Sequence, residues 1–566
     1  MKVFGRFVIV LVVLAIFAPA QAQENVGGVD GEQSIGDPAT PGLGNTGYDV
    51  LHYDLQFTID VAGEQISGLT TLDAEVTLDD LARFTLDYDG PPVEDVMLDG
   101  EAVEWTRGLG KLWITAPTPL AAGEMFSLSV QYAGAPVLAQ SQYMPFLDLG
   151  MYVNLENETL FAFNEPDGAH LWFPCNDHPL DKATFAFAIT VPEHLVAVAN
   201  GTPQEPVSDE AGMLTYHWDM PYPMATYLAV IAVGPYELYE TTGPRDIPIR
   251  NYYFDDQSLE DVKRTYAFTG TAMETFEIVF GPYPFDSYGH VLTSQSSVGM
   301  ETQSMTIMPA GMVGVSNPPI VVHELAHQWF GDYISPASWS DIWLNEGFAT
   351  YSEVIWMEAV AGFQSAVQEL ESMEQKILFY GEQAGVAQPD MSDLFGTNSY
   401  DKGGWVLHML RREVGDEAFI DILRTYVERF GGGTASTQDF WDLAEEISGQ
   451  ELDAFFEQWL YRPGNPTVKL YWTAGGEVMT CQYNLGDAGP FAFDLPVGFT
   501  SADGTADALE VVAVDEVIEQ VDLDLSFVAA SMWPDPVQDV LAFVEAEAVD
   551  ELPMVCPPTW EAAGSQ

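Results

Sequence analysis

Residues 321–333 read VVHELAHQWFGDY, in which His323 and His327 stand four positions apart with Glu324 beside the first. On a helix that spacing puts both imidazoles on one face, one turn apart, where a single metal ion can meet them. The ordinary alternative is a pair of solvated or core histidines next to a helix acid. The flanks speak for the metal: Ile320, Val321, Val322, Leu325, Ala326, Trp329 and Phe330 are apolar, so the helix is expected to be buried, and buried imidazoles need partners. A catalytic zinc takes three protein ligands and keeps one position open for water. Glu346, nineteen residues after His327 in WLNEGFATY, supplies a third ligand from the start of a second helical segment, across the loop SPASWS. Glu324 points about 100° round the helix from the two histidines, where it can serve as the general base for the hydrolytic water.

Beyond these residues the chain carries further segments: NEPDGAHLWFPCNDHPLDKATFAF (Asn164 to Phe187), ATYLAVIAVG, VGMET (Val298 to Thr302) and YDKGGWVLHML (Tyr400 to Leu410). Together with HELAH and NEGFA they resemble the marker segments of the aminopeptidase N family of gluzincin zinc peptidases, over roughly Gly47 to Phe543. The resemblance implies an aminopeptidase with one zinc ion per chain, acting on peptides with a free N-terminus. It implies that Glu301, flanked by Gly299 and Met300, holds the substrate's α-amino group. A fixed carboxylate near the metal suits that task, because an exopeptidase must measure one residue in from a cationic terminus. The family's usual glycine-alanine-methionine-glutamate-asparagine is altered here at Val298, Gly299 and Thr302. A second amine-binding acid of the family matches Glu165, although the glutamine usual two positions earlier is Phe163. Peptide hydrolysis also needs a donor for the tetrahedral oxyanion. The family's tyrosine before a lysine-glycine pair matches Tyr400 in SYDKGG.

Other readings of the same fold stay open: a zinc endopeptidase, a hydrolase of lipid epoxides, or a non-catalytic scaffold. An endopeptidase has no need of Glu301, and a scaffold would be free to lose ligands that this chain retains.

The elements that must position these groups fall into blocks. Short alternating runs such as DVLHYDLQFTIDV and TFAFAITVP predict a mostly antiparallel β domain over 47–243. Helical patterns from SLEDVKRTY to FIDILRTYVERF predict a mainly helical catalytic domain over 244–463, and strands return in a smaller β domain over 464–545. Residues 23–46, rich in Gly, Asp and Pro, read as a linker or surface-draping arm, and 546–566 as a tail. The fold class is thus multidomain α+β. By the resemblance, its parts are a β saddle, a thermolysin-like zinc domain and a β-sandwich.

Lys2 and Arg6 precede an apolar run from Phe7 to Ala18, followed by Ala20-Gln21-Ala22. That pattern predicts a signal peptide over 1–22 and a secreted protein; the run is shorter than the ~20 residues of a bilayer-spanning helix. Of three cysteines, Cys481 and Cys556 could pair in an oxidising compartment, with Cys175 left as a buried apolar residue. The net charge of −68, with 86 acids against 18 Lys plus Arg, disfavours nucleic acid and anionic membranes as partners. Such a surface suits a salty medium or simply a very soluble secreted protein. Oligomeric state and side-chain preference have no signature here.

Overall fold

The computed structural model describes residues 28–557, except 142, 145–146, 209–211, 317, 381–383, 484 and 486–487. The expected signal peptide lies outside the described residues.

The β domain is built on long strands whose inner positions are apolar. In Ala183–Pro192, Phe185, Phe187, Ile189 and Val191 are buried while their neighbours are half-exposed. This strand pairs in parallel with Tyr48–Asp60 and antiparallel with Met213–Met224, inside a nine-stranded sheet. A five-stranded sheet holds Thr159–Phe163, all of it buried, and delivers Glu165 just beyond the strand's end.

The pairing pattern changes at Pro235, inside the span 47–243 expected for the β domain. Strand Tyr236–Thr242 pairs with Pro248–Phe254, which continues in parallel to Tyr288–Thr293 and Thr306–Pro309. Its alternation resembles that of the strands before it, so local pattern alone does not show where one sheet gives way to the next.

Among the described residues, helices of two turns or more complete the catalytic part: α1 (Leu259–Tyr266), α2 (Thr269–Phe280), α3 (Pro319–Ala326), α4 (Trp343–Ala361), α5 (Phe363–Tyr380), α6 (Gly403–Val414), α7 (Asp416–Phe430) and α8 (Thr437–Ser448). Proline at its first position starts α3, where the missing N–H costs nothing. The helix is shorter than its apolar flanks suggested. It ends at Ala326 with His327 as its cap, and Phe330 then bridges to Ile334 in a turn. α4 and α6 approach very closely at Gly347 and Gly403, where a Cβ on Gly347 would lie 2.8 Å from the Gly403 carbonyl carbon. A π-helical turn, Asn398–Lys402, leads into α6 and carries Tyr400.

Two tethers lock the β domain onto the helices. Lys182 Nζ donates to the carbonyls of Asp332 (2.8 Å), Tyr333 (3.1 Å) and Gly433 (3.2 Å). The segment expected to be a linker or arm is a pinned arm. Val29–Asp30 pairs with strand Leu81–Asp87, and the Asp37 carboxylate accepts from Ser338 Oγ and Trp339 N–H and lies 3.0 Å from His178 Nε2.

The C-terminal domain has sheets of four and three strands around its own core of Val468, Leu470, Leu495, Val497, Phe499 and Val512 among others. Residues 546–556 are not a loose tail. Strand Phe543–Ala548 runs parallel to Thr467–Trp472, and Cys556 is disulfide-bonded to Cys481. Cys175 is free and buried.

Candidate active site

α3 and α4 bring the three candidate ligands together. His323 Nε2 and His327 Nε2 each lie 3.3 Å from the same oxygen, Glu346 Oε2. One donor atom from each residue falls within 4.8 Å of the others. The far ring nitrogens are also occupied: His323 Nδ1 is 3.0 Å from Glu353 Oε1, and His327 Nδ1 is 3.0 Å from the Phe330 carbonyl. Such partners fix ring orientation and leave both Nε2 atoms for a metal. Burial raises the Glu346 carboxyl, but the two imidazoles outweigh it and hold the group at about 2, ionised and ready to coordinate. Two imidazoles and one carboxylate, turned toward one point, fit a zinc ion.

Glu324 sits beside this set, 5% exposed, with Oε2 lacking any hydrogen-bond partner. Burial, opposed by the two imidazoles, pushes its carboxyl up to about 8, in the range of a group that exchanges protons near neutrality. Gly299 lies directly against it: a Cβ there would stand 2.2 Å from Glu324 Oε1. The glycine therefore makes room for the base, and a side chain at this position would displace it. Met300 is buried, and its N–H and carbonyl pair with Ile307 (3.1 and 2.9 Å), which anchors the backbone that leads into Glu301.

Glu301 and Glu165 meet as expected. Together with Glu346 they form a second cluster whose oxygens lie within 4.8 Å of one another. They are 3% and 6% exposed, and one oxygen of each has no hydrogen-bond partner. Burial first, then the neighbouring carboxylates, drives Glu165 well above its ordinary value; burial likewise raises Glu301, with the histidines opposing. Buried carboxyls grouped in this way suit a cationic group. Tyr400 stacks on His323 with ring centroids 5.9 Å apart and planes 10° from parallel. Burial and the nearby Glu346, Glu165 and Glu301 push its phenol far up, so it stays protonated and able to donate.

Three contributors were not read from the sequence. Glu353 lies seven residues after Glu346 on α4, a two-turn spacing that could have flagged it. Gln328 binds the backbone near Glu301. Asn345 Nδ2 donates to Tyr227 Oη (3.2 Å), which donates to the Gly331 carbonyl (3.0 Å), steadying the residue before Glu346. A cavity of about 330 Å³ opens beside the site, lined by His323, Glu353, Glu369, Lys376, Phe395 and Tyr400 among others.

Known proteins place this arrangement. Residues 50–228 match the peptidase M1 N-terminal domain and 265–459 the peptidase family M1 domain. Among curated proteins, tricorn protease-interacting factor F2 of Thermoplasma acidophilum is 28% identical over 350 residues, 57% of this chain and 43% of that protein. Aminopeptidase M1-C of Oryza sativa subsp. japonica is 29% identical over 345 residues, 56% of this chain and 38% of that protein. The chain thus spans less than half the length of the curated relatives it matches. A solved M1 zinc metallopeptidase from Deinococcus radiodurans is 32% identical, with a TM-score of 0.70, covering 77% of this chain and 98% of that one. With both family domains matched in order and that enzyme covered almost end to end, the chain belongs to peptidase family M1.

Proposed function

We propose that the protein is a zinc-dependent aminopeptidase that removes N-terminal residues from peptides. The observation that carries this reading is the pair of buried, partly unpaired carboxylates, Glu165 and Glu301, beside the metal ligand Glu346. An α-ammonium is the cation that such a recess accepts, and accepting it sets the first peptide bond at the metal ligands. A variant of the Deinococcus enzyme was solved bound to a Tyr-Ser-Ala substrate, a short peptide of the class proposed here.

His323, His327 and Glu346 would hold the zinc, which when bound supplies Lewis acidity toward the scissile carbonyl and activates water. Glu324 takes a proton from the attacking water at its unpaired Oε2 and returns it to the leaving amine. Tyr400 donates its phenolic proton in a hydrogen bond to the developing oxyanion. Glu301 and Glu165 accept from the substrate's ammonium group and keep the peptide in register.

The test is kcat/KM for matched peptides with free and acetylated N-termini, with and without a chelator. Free peptides should be cleaved in a chelator-sensitive way and capped ones hardly at all. Equal rates on both would move the assignment to an endopeptidase.

We also propose export. The basic and apolar N-terminus supports it, as does the Cys481–Cys556 disulfide, which belongs in an oxidising compartment. N-terminal sequencing of the protein from culture medium should find a start near Gln23; an intact Met1 would refute cleavage. Among the described residues no helix is long and apolar enough to cross a membrane.

A further inference from the structure

The Glu301 carboxylate has an oxygen with no partner, so the position of this side chain is set through its backbone. That backbone is gripped from two directions. On one side Met300 pairs with Ile307, as strand to strand. On the other stands Gln328, the residue immediately after the metal ligand His327.

Gln328 is fully buried. Its Nε2 donates to the Glu301 carbonyl at 2.9 Å, and its Oε1 accepts from the Ser304 N–H at 2.7 Å and from the Tyr283 hydroxyl at 3.4 Å. The amide thus spans the turn from Glu301 to Ser304 and replaces the backbone partner that the turn lacks there. The turn needs such support, since Ser304 is held at φ +64°, a conformation that non-glycine residues rarely adopt. The β domain adds a grip from outside: Asn200 Nδ2 donates to the Gln303 carbonyl at 2.8 Å, and the Gly201 N–H donates to Ser304 Oγ at 2.7 Å. Of these grips, Gln328 alone adjoins a metal ligand in the chain. An apolar residue could fill the same space, but it would leave the Glu301 carbonyl and the Ser304 N–H buried without partners.

We propose that Gln328 is a positioning residue that fixes the separation between the metal ligand His327 and Glu301, and so sets the one-residue reach of the enzyme. The inference rests on the reading of Glu301 as the amine anchor. Gln328 touches neither metal nor substrate; it acts through the Glu301 backbone.

The test compares wild type with Gln328→Met, which keeps the shape and removes both hydrogen-bonding ends, and Gln328→Glu, read at a pH where the carboxyl is ionised, so that an acceptor replaces the donor facing the Glu301 carbonyl. Three quantities are read: zinc content, thermal midpoint, and the preference for a free α-amine over its des-amino counterpart. The preference is measured as a kcat/KM ratio on matched anilides and as a calorimetric affinity ratio for L-leucine and 4-methylpentanoate. The wild type should show a large ratio, and both variants should bind zinc normally while the ratio falls by about tenfold or more, the scale of one charge-assisted contact. A wild-type ratio retained in zinc-loaded Gln328→Met, or equal losses on both substrates, would overturn the inference and leave the amine anchor standing. A wild-type ratio near one would overturn both. Should Gln328→Met not accumulate as folded protein, the nearly isosteric Gln328→Glu decides in its place: a ratio lowered with zinc retained supports the inference, and an unchanged ratio overturns it.

Discussion

The metal cradle and the amine recess share Glu346 yet are built on opposite plans. In the cradle each imidazole has an outer partner at Nδ1, His323 in Glu353 and His327 in the Phe330 carbonyl. In the recess the functional oxygens have no fixed partner, and order comes from the backbone behind them. The cradle's rings are oriented by the protein's own groups. The recess keeps carboxyl oxygens free for a cation that comes and goes with each substrate, and its burial disfavours their charge until that cation is present. A resident ion and a transient one call for these different supports, because permanent partners for Glu301 and Glu165 would compete with the substrate's ammonium.

Substitutions in each region can break that contrast. The largest effect should come from Glu324→Gln, which leaves both regions in place and removes the proton acceptor. Its kcat should fall by about 10²–10⁴-fold while metal analysis stays unchanged. A fully active variant would put the base elsewhere. Next comes Glu301→Ala, expected to lower kcat/KM on free peptides by about 10–100-fold, to spare capped ones and to retain zinc. Loss of metal from this variant would show that the two regions are not separable. The smallest effect should be Glu353→Gln, which keeps an acceptor for His323 Nδ1 but removes its charge. Competition against a chelator should show zinc affinity weaker by about tenfold, with the free-amine preference intact. A change in that preference would mean that the cradle's outer support also shapes the recess.

What the sequence disclosed follows the same division. His323, His327 and Glu324 lie within one helical turn and Glu346 opens the next helix, so short spacings carry the cradle. Glu301, Glu165 and Tyr400 became legible only through resemblance, because their neighbours come from separate sheets and a π-helical turn. The least legible surroundings are those supplied by distant chain. Gly299 faces Glu324 across space, and Met300 turns its backbone to Ile307. Strand Tyr236–Thr242 changes sheets, while Phe543–Ala548 finds its partner in Thr467–Trp472, seventy-six residues earlier in register. Alternation shows that a segment is a strand and does not show which strand it will join.

The pinned arm has a consequence in the order of synthesis. Asp37 precedes its donor partners Ser338 and Trp339 by 301 and 302 residues. It leaves the ribosome early, yet it cannot close onto the molecule until well over half of the chain has followed. Its neighbours Val29–Asp30 can pair with Leu81–Asp87 much sooner, so the arm docks in two stages, and the closure of Asp37 onto Ser338 and Trp339 is a late, long-range step of the kind that slows folding.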